Sequence, residues 1–200
     1  VRVDPRYAGT RWLCAYPLTL YAGTQVFLQT LLNWATLVVP PVRTPAEIAR
    51  TLSEEGVQYA SGTPTFWRQL LVFGPREVLR AVPLTQITMG GEPAPRDLLE
   101  RLRALFPQAR IVHIYASTEL GRLFSVTDGL EGFPARYLES CPEPGVELRV
   151  VDGELRARSR HAMLGYEGAS HAALGAGDWV ATGDRVERRG DRIVFLGRTT

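Results

Sequence analysis

The chain has 200 residues, 45% of them hydrophobic and 22% charged, with a net charge of +2. That is enough chain to bury a sizeable core, in the composition of an ordinary soluble globular protein. No apolar run is long enough to cross a bilayer, and basic residues interspersed with acidic ones argue against a nucleic-acid surface.

The first residue is Val1, with no charged n-region and no small-residue cleavage site after it. A cytoplasmic protein is therefore expected, with its true start further upstream. The two cysteines, Cys14 and Cys141, lie far apart without a histidine cluster and predict neither a zinc site nor a disulfide framework. All 23 basic residues are arginine. Coding bias accounts for that on a surface, but Schiff-base chemistry and a phosphate-gripping lysine are excluded within these residues.

In chain order, residues 35–40 (ATLVVP) predict a short strand ended by paired prolines. Residues 44–56 predict a helix, with Thr44 as N-cap, Pro45 in the first turn, Glu47 completing a capping box and Gly56 ending it. Strands follow at 57–61 and 85–90, an amphipathic helix at 95–107 and a buried strand at 109–116. Strand–helix–strand alternation predicts an α/β fold: a mostly parallel sheet flanked by helices. Beyond about residue 122 the pattern turns to antiparallel β, with one hairpin at Asp152-Gly153 and a second turning near Gly190. Residues 169–178 read as a small-residue loop. The expected division is 1–122, an α/β part, and 123–200, a smaller β-rich part.

Ligands of open parallel sheets bind beyond the carboxyl ends of the strands. Three clusters fall at such ends or in the tail. After one strand comes MGGEPAP (89–95), where Gly90 and Gly91 permit close backbone approach and Glu92 offers an acceptor. After the next comes YASTE (115–119): Tyr115 can stack on a ring, Thr118 can reach a phosphoryl oxygen and Glu119 can hold Mg²⁺. The third is TGD (182–184), expected to place Asp184 on a tight turn where it can accept from both hydroxyls of a ribose. Singly, each is more often a turn or a solvated rim. Together and in this order they describe a nucleotide.

That order resembles the adenylate-forming superfamily of acyl-CoA synthetases, peptide-synthetase adenylation domains and luciferase. GGEPAP is similar to the adenine-side loop, IYASTELG to the tyrosine-glycine-x-threonine-glutamate motif, and residues 153–168 to the segment ending in glycine-tyrosine. Residues 179–198 are similar to the aspartate motif that runs to the glycine-arginine before a hinge. The resemblance implies that Gly90, Gly91, Glu92, Tyr115, Ala116 and Ser117 line the nucleotide and that Tyr115 flanks adenine. It implies further that Thr118 meets phosphate, Glu119 holds Mg²⁺, and Asp184 and Arg198 hold the ribose side. The implied reaction joins ATP and a carboxylic acid into an acyl-adenylate, then passes the acyl group to a thiol, of CoA or of a carrier protein's phosphopantetheine.

Two departures stand out: Ala116 replaces the family's glycine, and Leu20 falls where a histidine is often found. The phosphate loop and the C-terminal domain, each with its lysine, are expected outside these residues, so the chain alone is expected not to turn over. The alternative is a degenerate, non-catalytic nucleotide-binding or scaffold subunit. No acid occurs in residues 14–23, which favours a substrate without an α-amine. Tyr16, Thr63 and Phe66 are pocket candidates, whereas Trp67 is expected in the core. His113 reads as a structural histidine, His161 and His171 as loop residues, and RARSR (156–160) as a solvated strand face rather than a CoA-phosphate site.

Overall fold

The computed structural model describes residues 3–165 and 177–199. His171 and most of the 169–178 loop lie outside the described residues. Compact units divide within one strand: the first ends at His113 and takes in Thr127–Gly129, and the second holds Ile114–Val126 and the chain from Leu130 onward.

The first unit alternates β1 (Arg11–Cys14), α1 (Tyr21–Leu32), β2 (Thr36–Val38), α2 (Pro45–Glu54), β3 (Tyr59–Gly62), α3 (Pro64–Phe73), α4 (Arg76–Arg80), β4 (Gln86–Gly90), α5 (Arg96–Leu105) and β5 (Arg110–Ser117). The sheet order is β2-β1-β3-β4-β5, followed by β6 (Gly121–Val126), and the β1–β2, β1–β3 and β3–β4 pairs are parallel. Helix α2 starts as its sequence predicts: the Glu47 amide donates to Thr44 Oγ1 at 3.3 Å, with Pro45 following the cap. One face of α5 buries Leu98, Leu99 and Leu102, each contributing about 2 kcal/mol by leaving water. Those residues join Ile48, Leu52, Trp67 and Leu70 from the other helices against Leu13, Ala60, Ile87 and Met89 of the strands. Trp67 is fully buried there, as expected of a core residue.

The second unit is antiparallel. Its sheet runs β7 (Phe133–Pro134), β11 (Arg192–Arg198), β10 (Val180–Arg189), β9 (Glu154–Ser159), β8 (Val146–Val151). Val151 pairs with Glu154 across Asp152-Gly153, whose φ values of 53° and 76° are those of a type I′ hairpin turn. The second hairpin pairs Arg189 with Arg192 around Gly190, so both turns fall where the sequence predicts them. Leu123, Phe124, Phe133, Leu148, Leu155, Val186 and Ile193 form this unit's own core. Arg192 fastens the approach to β7 by donating to the carbonyls of Leu130, Glu131 and Gly132.

Candidate functional site

In the first unit, six candidates, Tyr16, Thr63, Phe66, Gly90, Gly91 and Glu92, fall at or after the carboxyl ends of β1, β3 and β4. The buried Tyr16 hydroxyl donates to the Gly90 carbonyl at 3.2 Å, and burial pushes its phenol far above the ordinary value. Gly91 follows with φ of 83° and nothing within 4 Å of the place a Cβ would take, so the backbone there is open to a flat ligand. Glu92 does more than offer a free acceptor. Its Oε2 receives both the amide (3.0 Å) and the hydroxyl (2.6 Å) of Thr65, in the first turn of α3.

His113 holds the same loop through Nε2 and the Glu92 carbonyl at 3.2 Å. A carbonyl only accepts, so Nε2 carries the proton. Burial lowers the His113 pKa and the hydrogen bond to Glu92 only partly offsets it, so the ring is neutral and structural, as its sequence context suggests. Thr63 caps α3, its Oγ1 accepting from the Phe66 amide at 3.1 Å. Thr63 and Phe66 both line a cavity of about 240 Å³, together with Cys14, Arg43, Thr65 and Gln69. Tyr16 is absent from its walls; its place is under Gly90.

The second unit builds a cluster around Asp184. Instead of the expected tight turn, Asp184 sits inside β10, where the ladder is irregular on both sides of Arg185. Gly183, at φ of 73°, makes that kink, and its amide donates to Glu154 Oε1 at 3.1 Å. Thr182 Oγ1 donates to the Leu155 carbonyl at 2.7 Å and accepts from the Asp184 amide at 3.2 Å. The Tyr115 hydroxyl donates to Asp184 Oδ2, and Arg198 Nε stands 3.5 Å from Oδ1. Burial, then the Asp184 carboxylate, pushes the Tyr115 phenol far above its ordinary value, so it remains a donor. Its ring packs on Phe124 with centroids 5.1 Å apart. A carboxylate offers about four lone-pair sites, so Asp184 keeps acceptor capacity for a diol beyond the tyrosine.

Thr118, Glu119 and Leu120 turn the chain from β5 to β6, and Ser117 Oγ closes that turn by accepting from the Leu120 amide at 3.1 Å. The Glu119 carbonyl accepts from the Met163 amide at 2.8 Å, which fixes the backbone beneath its side chain. Ala116 lies in β5 outside the positive-φ region, so alanine replaces glycine there without backbone strain. Among the described residues no three His, Cys, Asp or Glu converge as a metal cage. One carboxylate completed by water and phosphate oxygens is the usual way proteins hold Mg²⁺, so Glu119 fits that ion. Glu154 and Thr65 carry no signal of their own in the sequence; each acts through a partner distant along the chain.

The profile of the AMP-binding enzyme family matches residues 1–167. The chain belongs to that family. A 4-coumarate–CoA ligase-like protein of Oryza sativa subsp. japonica is 27% identical over 204 residues, 92% of this chain and 36% of the relative. A medium-chain-fatty-acid–CoA ligase of Ectopseudomonas oleovorans is 24% identical over 173 residues, 75% of this chain and 32% of the relative. Among solved AMP-binding folds, a benzoate CoA ligase from Burkholderia xenovorans superposes with a TM-score of 0.76 at 25% identity, covering 95% of this chain and 42% of that one. The chain thus spans about a third of the length of these curated relatives. Among the described residues no helix is long and apolar enough to cross a membrane.

Proposed function

We propose that the polypeptide carrying this chain is a ligase that activates a carboxylic acid lacking an α-amine. The acid's carboxylate oxygen attacks the α-phosphorus of ATP, pyrophosphate leaves, and the acyl-adenylate then yields its acyl group to a thiol with release of AMP. CoA is the favoured thiol, given the relatives named for CoA ligation, and a carrier protein's phosphopantetheine offers the same chemistry. A non-amino acid is supported by the lack of any acidic side chain in residues 14–23 and by those same names.

The observation that carries this proposal is Asp184, held between the Tyr115 hydroxyl and Arg198 on an irregular strand. Those two donors orient the carboxylate, which accepts from the ribose hydroxyls. Gly90 to Glu92 and Tyr115 to Ser117 serve the adenine side, and the Thr118 hydroxyl donates to a phosphate oxygen. Glu119 would hold Mg²⁺, which would supply charge neutralisation at the phosphate. Thr63 and Phe66 wall the acyl portion.

Calorimetric titration with AMP tests the ribose role. Asp184→Asn, which keeps the shape and removes the charge, is expected to weaken binding by about 1.5–3 kcal/mol, the range for a hydrogen bond to a charged group. Equal affinity would refute it.

A further inference from the structure

The cavity that Thr63 and Phe66 wall carries one charged side chain, and its charge is positive. Besides those two residues, its polar lining is Cys14 from the end of β1, Arg43 from the connection between β2 and α2, and Thr65 and Gln69 of α3. The other walls are leucine, isoleucine, alanine and proline. With no aspartate or glutamate in the lining, an ammonium group would find no counter-ion there.

Arg43 itself has no ion pair among the described residues. The acid that follows it most closely along the chain, Glu47, pairs with Arg50 at 3.1 Å instead. The Arg43 charge reaches the end of β1. Burial raises the Cys14 thiol above its ordinary value, and a hydrogen bond to the Tyr16 carbonyl, then the Arg43 charge, oppose that rise. Backbone donors in the α3 wall are engaged. Pro64 has no amide hydrogen, the Thr65 amide and hydroxyl donate to Glu92, and the Phe66 amide donates to Thr63 Oγ1. The Trp67 amide donates to the Thr63 carbonyl. An anion in the cavity therefore meets Arg43 as its charged donor.

The strand order β2-β1-β3-β4 separates the two sides of the cavity. Glu92 follows β4 and is tied to the wall residue Thr65, whereas Arg43 follows β2, three strand spacings or about 14 Å away. The reacting carboxylate of the acid belongs on the Glu92 side, beside the nucleotide loop. The other end of the acid then lies on the Arg43 side.

We infer that the acid carries a second carboxylate at its far end, which pairs with Arg43: the substrate is a small dicarboxylic acid. The inference rests on the acid-activating function and on Thr63 and Phe66 walling the acyl portion. A planar guanidinium matches a carboxylate with two parallel hydrogen bonds, and a carboxylate leaving water for an apolar cavity requires such a partner. The volume of about 240 Å³ is below the roughly 300–1,000 Å³ of pockets for drug-sized ligands, which limits the acid to a short chain or a single ring.

Acid-dependent exchange of pyrophosphate into ATP, on the polypeptide as its natural source makes it, tests this with two matched pairs: glutarate against pentanoate, and terephthalate against benzoate. In at least one pair the diacid is expected to have a kcat/KM higher by about tenfold or more, the least that a hydrogen bond to a charged group supplies. Arg43→Met should abolish that preference and Arg43→Lys should keep part of it. Arg43 is exposed, so neither change opens the core. Preference for the monoacid in both pairs, or a diacid preference that survives in Arg43→Met, would overturn the inference and leave the acid-activating function standing. If no acid supports exchange, calorimetric titration with the same diacids decides: binding that is lost in Arg43→Met would uphold the diacid site while the ligase function falls, and no binding would overturn the site as well.

Discussion

Tyr115 and Asp184 are 69 residues apart in the chain and are joined by a hydrogen bond. Tyr115→Phe keeps the ring on Phe124 but removes the donor, so it should cost about 1 kcal/mol in urea unfolding and also weaken AMP binding. A change in stability alone would separate a structural tie from a ligand-orienting one. His113 gives a pH signature. Its pKa is lowered in the folded chain, so between the two pKa values the unfolded state binds more protons and stability rises with pH. The His113 contribution is fully present above the unfolded value near 6.5 and is lost as pH falls towards the folded value. The unfolding midpoint should therefore drop below about pH 6.5, less steeply in His113→Gln; parallel profiles would exclude His113 as the cause. At this scale the sequence displays the residues whose type announces chemistry, Tyr115, Glu119 and Asp184. It hides those that act through partners: Glu154 meets Gly183 at a separation of 29 residues, and Thr65 meets Glu92 at 27, pairings that only the fold creates.

Elements with a strong local signal were legible. Helix α2 has a cap, a proline and a terminating glycine, and the Asp152-Gly153 turn needs two positive φ angles that this pair supplies. Helix α1 was not, because a segment apolar on all sides has no period to read, and β1 and β6 lack flanking turn signals strong enough to bound them. The expectation of a turn at Asp184 failed for a related reason: Thr-Gly-Asp reads as a turn, but a glycine within a strand can equally kink its ladder. Gly23 tests how α1 is seated. Alanine is the better helix former by about 1 kcal/mol, yet a Cβ at this position would lie 2.0 Å from the Pro17 carbonyl oxygen. Steric conflict with backbone should win, and Gly23→Ala is expected to destabilise by about 1–3 kcal/mol in chemical denaturation. Stabilisation would mean that α1 sits further from residues 17–18.

Over the whole molecule, the parallel and antiparallel parts each keep a core of their own. The family was legible because four motifs kept their order along the chain. The walls of the cavity were not, since Thr63 and Phe66 reach Cys14, Arg43 and Gln69 only through the folding of β1, β2 and α3. The complete absence of lysine sharpens the functional question. A ligase draws its lysines from elsewhere in its polypeptide, whereas a non-catalytic member binds nucleotide and stops. Acid-dependent exchange of pyrophosphate into ATP, measured on the polypeptide as its natural source makes it with a panel of small aliphatic and aromatic acids, separates the two. The acid-activating function predicts exchange that requires one of these acids and Mg²⁺ and that is abolished by Glu119→Ala with the fold intact; AMP binding without exchange for any acid, or exchange undiminished in Glu119→Ala, would contradict it.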